Sequence, residues 1–140
     1  MADPVQPTNQ AMAIAVTALK AQQARMRVIA ENMANANSTS QTPGGDPYRR
    51  QVPVFEPKTT TDGAKGVTMA RVVPDQSNFG SEYAPGHPGA DAKGYVKTPN
   101  VEPLMEALDM REAQRAYEAN LNVIETARAM DLSTLGILRQ

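Results

Sequence analysis

The chain contains no cysteine, no tryptophan and a single histidine. Without cysteine there is neither a disulfide framework nor a thiolate metal site, although an oxidising compartment stays open. Aromatic residues make up only 4% of the sequence, while apolar residues make up 41%. Aromatic side chains supply much of the buried area of a globular core, so a large independent core is not expected. Five of the six aromatics, Tyr48, Phe55, Phe79, Tyr83 and Tyr95, lie in the middle of the chain, which predicts a small compact core there. Charge of one sign is also missing: a net charge of −1 gives no general attraction to nucleic acid or to an anionic membrane. No apolar run approaches the length of a membrane span. Met1-Ala2-Asp3-Pro4 places an acid where a secretory signal carries lysine or arginine, and Ala11 to Leu19 is interrupted by Thr17 with no cleavage-like boundary. Taken alone, these features predict a cytoplasmic chain, or one exported without a cleaved signal. At 140 residues there is room for one ordinary domain.

What the chain does have is a pattern at both ends. Met12, Val16, Leu19, Gln23, Met26, Ala30 and Met33 recur in alternating steps of four and three. Ala113, Ala116, Asn120, Val123, Ala127, Met130, Thr134 and Ile137 repeat the alternation near the other terminus. This is a repeat of about 3.5 residues, characteristic of a helix that buries one stripe against another helix. The fold class expected is mainly α, with long N- and C-terminal helices pairing as a coiled coil around a small β-rich middle element. The division expected is 1–38 for the first helix, 39–98 for a linker and β element, and 99–140 for the second helix.

Local signals set the boundaries. Thr8 or Asn9 can cap the first helix, and Ala, Gln, Met, Arg and Leu, all good helix formers, carry it to about Asn35. Asn35 to Thr39 ends it, because Asn and Ser side chains compete for the backbone and Asn tolerates the left-handed region; Thr42-Pro43-Gly44-Gly45-Asp46-Pro47 confirms the stop. In the middle, Gln51 to Phe55 reads as an edge strand because of Pro53. Gly66 to Val73 reads as the best strand, with Val67, Met69 and Val73 on one face and Val72 on the other. Gly94 to Lys97 is a third candidate, and Tyr83 to Gly89 reads as a turn or loop. The second helix has Asn100 as its cap and Pro103 in its first turn, where a missing N–H costs nothing.

The second helix carries more apolar surface than one stripe. Leu121, Ile124, Leu135 and Leu138 form a further row, with Tyr117 beside it. A single partner helix cannot cover so wide a face, so contact with several neighbours is expected. Charge favours N-helix against C-helix: residues 9–37 carry Lys20, Arg25 and Arg27 against Glu31, net +2, while residues 100–140 are net −3. Each surface pair is worth only about 0.2–1 kcal/mol, so this biases partner choice more than stability. Gln23 and Asn120 put amides on otherwise apolar seams; they either sit at a wetter edge or fix the register.

Little in the sequence points to chemistry. His87 lies among Pro and Gly and reads as a solvent-exposed turn residue, since a catalytic histidine needs an orienting partner. Asp91-Ala92-Lys93-Gly94 echoes a calcium loop but lacks its alternating oxygen ligands. Asn37-Ser38-Thr39 is formally a glycosylation sequon, a match short enough to arise by chance. Tyr48-Arg49-Arg50 either grips a carboxylate or phosphate or forms the basic edge of a turn. The methionines read as adaptable packing rather than metal ligands. No phosphate-binding glycine loop, nucleophile elbow or pair of histidines is present. No catalytic residue, cofactor, metal or small-molecule substrate is therefore expected.

The two ends carry a resemblance. The stretch from Ala18-Leu19-Lys20 through Glu31-Asn32-Met33-Ala34-Asn35-Ala36-Asn37-Ser38-Thr39 resembles the N-terminal motif of bacterial flagellar rod and hook proteins. Asp109-Met110-Arg111-Glu112-Ala113-Gln114-Arg115-Ala116-Tyr117-Glu118-Ala119-Asn120, followed by Val123-Ile124-Glu125-Thr126-Ala127, resembles their C-terminal motif. The short length, the run from His87-Pro88 to Gly94-Tyr95-Val96, and then Pro99-Asn100-Val101 are similar to proximal rod proteins; Tyr48-Arg49-Arg50 after Thr42-Pro43 fits as well. The sequence departs by putting Ser38-Thr39-Ser40-Gln41-Thr42-Pro43-Gly44-Gly45 where the family has a Thr-Gly-Tyr turn.

The resemblance implies a non-enzymatic structural subunit of the flagellar basal body, exported unfolded through the flagellar type III apparatus. The rod would lie in the periplasmic space, line the export channel and transmit torque. Implied partners are other copies of the chain, other rod proteins and membrane-ring or export-gate adaptors, with no nucleic acid and no direct membrane insertion. Implied interface residues are Met12, Val16, Leu19, Gln23, Met26, Ala30, Met33, Ala113, Ala116, Tyr117, Asn120, Leu121, Val123, Ile124, Ala127, Met130, Leu135 and Leu138. The motif and turn positions are Asn32, Asn35, Asn37, Tyr48, Arg49 and Arg50. A free subunit would leave those faces uncovered, with partly disordered termini before assembly. Two other classes compete: a soluble helical adaptor or chaperone for export substrates, and a wall-cutting enzyme, for which no carboxylate or histidine site is evident.

Overall fold

The computed structural model describes residues 7–139. In chain order it contains α1 (Pro7–Ala34), β1 (Gln51–Thr59), β2 (Lys65–Pro74), β3 (Gly80–Tyr83), β4 (Tyr95–Thr98) and α2 (Pro103–Leu138). β1 pairs with β2 and β3 with β4. Two long helices with a small β middle are therefore present.

Several boundaries differ from the sequence expectation. α1 is already helical at Pro7, so Thr8 and Asn9 lie within its first turn and the cap falls outside the described residues. Its C-terminus is closed by side chains rather than by a left-handed residue, since no non-glycine residue among those described has positive φ. Asn35 donates its Nδ2 to the Glu31 carbonyl at 2.9 Å and accepts the Ser38 hydroxyl at 3.2 Å. α2 begins at Pro103 as expected, but Asn100 does not cap it. The Asn100 Oδ1 instead accepts the Arg50 amide at 2.7 Å, and Nδ2 donates to the carbonyls of Asp75 and Ser77 at 3.1 and 3.2 Å.

The chain divides into two compact units. One takes the chain up to Met26, Val54–Arg71 and the chain from Glu112; the other takes Arg27–Pro53 and Val72–Arg111. In the first, the connection 60–64 is too short for a parallel crossover, so β1 and β2 form an antiparallel hairpin. Thr60 and Ala64 bond to one another twice through the Thr60 hydroxyl, at 3.2 and 3.1 Å, and Gly63 supplies φ of 81°. Both strands of a two-stranded sheet are edges, which explains why Pro53 and Pro57 are tolerated in β1. The hairpin lies on α1 at Thr17, whose hydroxyl accepts the Val67 amide at 3.2 Å while donating to the Ile14 carbonyl at 2.7 Å. A Cβ at Gly66 would overlap that hydroxyl. In the same unit, Arg25 of α1 reaches Glu112 of α2 at 3.5 Å.

The second unit holds the end of α1, the linker, the β3–β4 hairpin and the start of α2. β3 was not evident in the sequence, because Gly80-Ser81-Glu82-Tyr83 is polar and entirely exposed. It pairs antiparallel with β4 from Gly80↔Thr98 to Tyr83↔Tyr95, and the two tyrosine rings meet edge-on at 5.3 Å. Asp91 shapes the connecting turn rather than a calcium site: its Oδ1 accepts the Lys93 and Tyr95 amides at 2.9 and 3.0 Å. His87 is half-buried, not solvent-exposed. Its Nδ1 accepts the Gly89 amide at 2.9 Å and its Nε2 faces the Thr39 hydroxyl at 3.1 Å, tying this turn to the linker. Gly44 N–H donates to the Gly89 carbonyl at 3.2 Å beside it.

The buried residues of the middle segment are few, Ala64, Val96 and Val101 among the apolar ones, and none is aromatic. Tyr83, Tyr95 and Phe55 are exposed, and the buried apolar residues are small or β-branched: Ala15, Ala21, Val28, Ile29, Ala64, Val96, Val101, Ala113 and Ala127. The largest fully buried side chains among the described residues are polar, Asn32 and Glu106.

Candidate subunit interface

The residues singled out for assembly fall into two groups. On α1, Met12, Leu19 and Met26 are half-buried, while Val16, Gln23, Ala30 and Met33 are exposed. The buried row of α1 runs one position earlier in register, through Ala15, Ile29 and Asn32, with Ala21 and Val28 beside it. α1 has apolar residues on both rows; Ala15, Ala21, Val28 and Ile29 pack inward, while Val16 and Met33 face outward. On α2, Ala113 and Ala127 are buried, and Ala116, Tyr117, Asn120 and Ile124 are half-buried. Leu121, Val123, Met130, Leu135 and Leu138 are exposed, joined by Leu132 and Ile137. Neither seam amide bridges the helices within the chain: Gln23 is exposed, and Asn120 donates back to the Ala116 carbonyl at 2.8 Å.

In the first unit, α1 and α2 flank a shared apolar groove of about 360 Å³, lined by Thr8, Ala11, Val123, Thr126, Ala127 and Met130. Its walls are almost wholly hydrocarbon, so water in it gains few hydrogen bonds and an apolar side chain displaces it favourably.

The motif residues of the second unit form a polar hub. Asn32 is 1% exposed, yet both ends of its amide are engaged: Oδ1 accepts the Tyr48 hydroxyl at 2.8 Å and the Gln51 amide at 2.9 Å, and Nδ2 donates to the Gln51 carbonyl at 2.8 Å. α1 is thereby fastened to the start of β1. Burial first, then the charges of Glu31 and Glu106, pushes the Tyr48 phenol up, so it stays a donor. Arg49 donates to the carbonyls of Asp75 and Ser77 at 2.6 and 3.1 Å and lies 4.1 Å from the Phe79 ring centre. Asn35 closes the helix as described, and Asn37 is exposed in the following turn.

Arg50 does grip carboxylates, and they belong to its own chain. Its Nε donates to Glu106, Nη1 to Asp75 at 3.2 Å, and Nη2 lies 3.6 Å from Asp109. Burial pulls the guanidinium pKa down, but Glu106 and Asp75 more than offset it, so the shift is upward. The Ser77 backbone and hydroxyl, followed by Arg50, hold the Asp75 carboxyl below the usual aspartate range. Asp75 and Glu106 were missed in the sequence, and Asn100 was read only as a helix cap. Their partners lie 25, 56 and 50 residues away, and no local pattern marks them.

Two family models match these same segments. One described as "Flagella basal body rod protein" covers residues 12–40, and one described as "Flagellar basal body rod FlgEFG protein C-terminal" covers residues 92–137. The FlgC rod protein of Agrobacterium fabrum is 44% identical over 95% of this chain and 96% of its own length. The chain belongs to the FlgC family of flagellar basal-body rod proteins. The FlgC proteins of Borreliella burgdorferi and Bacillus subtilis are 41% and 32% identical over 90% and 89% of this chain.

The family is one of structural rod subunits, not enzymes, and it assembles with other rod components in the flagellar basal body. The adaptor reading is not favoured. Among the described residues no helix is long and apolar enough to cross a membrane.

Proposed function

We propose that this FlgC-family subunit builds the proximal rod by packing α1 and α2 against those of neighbouring copies in coiled-coil fashion, lining the export channel. Residues 1–38 and 99–140 are read as rod helices, and 39–98 as the linker and outer β element. The subunit passes unfolded through the flagellar type III apparatus, reaches the periplasm, meets membrane-ring adaptors at one end and transmits torque.

The exposed apolar surface on the distal half of α2 carries this reading. Val123, Met130, Leu135 and Leu138 are 43%, 55%, 56% and 77% exposed, a surface a soluble monomer has no reason to keep. Burying one such side chain fully stabilises by roughly 1.5–3 kcal/mol, and a tube presents each helix to several neighbours through contacts that repeat without closing locally. Val123→Asp tests it, because the residue is exposed and the change leaves the monomer's buried core untouched. The expected result is loss of motility in swarm assays with export of the variant largely intact. Normal motility would contradict the interface.

A further inference from the structure

The distal half of α2 carries two exposed rows that differ in charge. Ala119, Val123, Thr126, Met130, Ser133 and Ile137 recur in alternating steps of four and three, and all are exposed and uncharged. That spacing sets them in one line along the helix, about 27 Å long. Glu118, Glu125, Arg128 and Arg139, interleaved with Leu121 and Leu132, form the other row and are equally exposed. A charged side chain is well solvated in water and costly to bury without a partner. The uncharged row is therefore the one suited to burial. Val123, Thr126 and Met130 of that row also form one wall of the groove of about 360 Å³ beside α1, a concave surface that a ridge of side chains can enter.

A straight row of this length and spacing is matched by another helix whose own row is uncharged. α1 supplies one: Met12, Val16, Leu19, Gln23 and Met26 follow the same alternating steps without a charge, and Val16 and Gln23 among them are exposed. Its first half belongs to Pro4–Leu19, the longest run of the sequence with no charged side chain. A second α2 is a poorer match. Residues 100–140 are net −3 and residues 9–37 are net +2, so α2 repels its own kind and attracts α1.

We propose that the uncharged row of α2 receives the Met12–Met26 row of α1 from a second copy of this chain, and that the charged row takes no part in that contact. This rests on the assembly reading above, and it assigns which face of α2 is covered and by what. Val16 and Gln23 of the second copy are the knobs, and the spaces between Val123, Thr126 and Met130 are the holes they enter.

The absence of cysteine from the chain gives a clean background for cross-linking. Val123→Cys, Thr126→Cys or Met130→Cys on one copy is co-expressed with Val16→Cys or Gln23→Cys on a differently tagged copy, and basal bodies are isolated under mild oxidation. The three α2 positions lie about 5 Å apart along the helix and so sample the register. A mixed disulfide-linked dimer is expected from at least one pair, and from none in which Arg128→Cys replaces the α2 partner. Thr126→Glu, at a position exposed in the monomer, should reduce incorporation into basal bodies about tenfold, the effect of one unpaired charge buried at the contact. Arg128→Glu should incorporate like the wild type. A dimer formed by an α2 variant alone would overturn α1 as the occupant. No dimer from any pair, or a greater loss for Arg128→Glu than for Thr126→Glu, would overturn the choice of row. Absence of even the unmodified chain from basal bodies would instead refute the rod reading beneath it.

Discussion

Replacing Arg50 with methionine should cost about 3 kcal/mol of stability, and the structure sets that scale. The substitution keeps most of the side-chain volume and removes only the guanidinium. Glu106, 1% exposed, then keeps a buried charge with no counter-ion. Breaking a buried pair from one side costs about 3–5 kcal/mol. Asp75 and Asp109 are 25% and 34% exposed, so water compensates them and the lower end of the range applies. For a chain of this size the loss corresponds to a fall in Tm of about 6–12 °C. Urea titration followed by far-UV circular dichroism measures it, with Arg50→Met, Glu106→Leu and the double variant compared as a cycle. The double variant should recover most of the loss, because it removes both charges together. A single-variant cost below about 1 kcal/mol, or additive losses in the double, would show that the pair does not hold the hub.

Two further outcomes follow from the same unit. Asn32→Ala leaves the Tyr48 hydroxyl and Gln51 amide without their acceptor, at about 1–3 kcal/mol each; an urea midpoint unchanged from wild type would exclude that role. Asp75 has its pKa lowered in the folded state, so its contribution is present above the ordinary aspartate range and is lost as pH falls through the lower folded value. Asp75→Asn should flatten the acid limb of the stability–pH curve there, and an unaltered limb would contradict the assignment.

Much of the secondary structure was legible because its signals are local. The alternating steps from Met12 to Met33 and from Ala113 to Ile137 marked both helices, and Pro103 fixed the start of α2 within one turn. The valines of β1 and β2 revealed their strands. β3 was invisible, since a short polar strand owes its existence to the partner strand β4. The row of α1 that would be buried could not be read from periodicity either. Apolar residues occupy two adjacent rows, and only packing decides that Ala15, Val28 and Ile29 turn inward while Val16 and Met33 turn out.

The hub shows where local reading ends. Tyr48-Arg49-Arg50 was visible as a basic cluster able to hold a carboxylate, yet the identities of its partners depend on the chain returning from position 106 to position 50. Asn100 looked like a helix cap because its type and place suited one; its side chain is instead drawn to the Arg50 amide and the 75–77 carbonyls. The sequence alone determined two long helices, a β-containing middle and an apolar surface too wide for one partner, since helical period and composition act within a few residues. Tertiary structure alone decided which stripe is buried, that the core is built of alanine, valine and isoleucine rather than aromatics, and that Glu106 ends up buried with one oxygen unmet. Those outcomes depend on contacts between residues far apart in the chain.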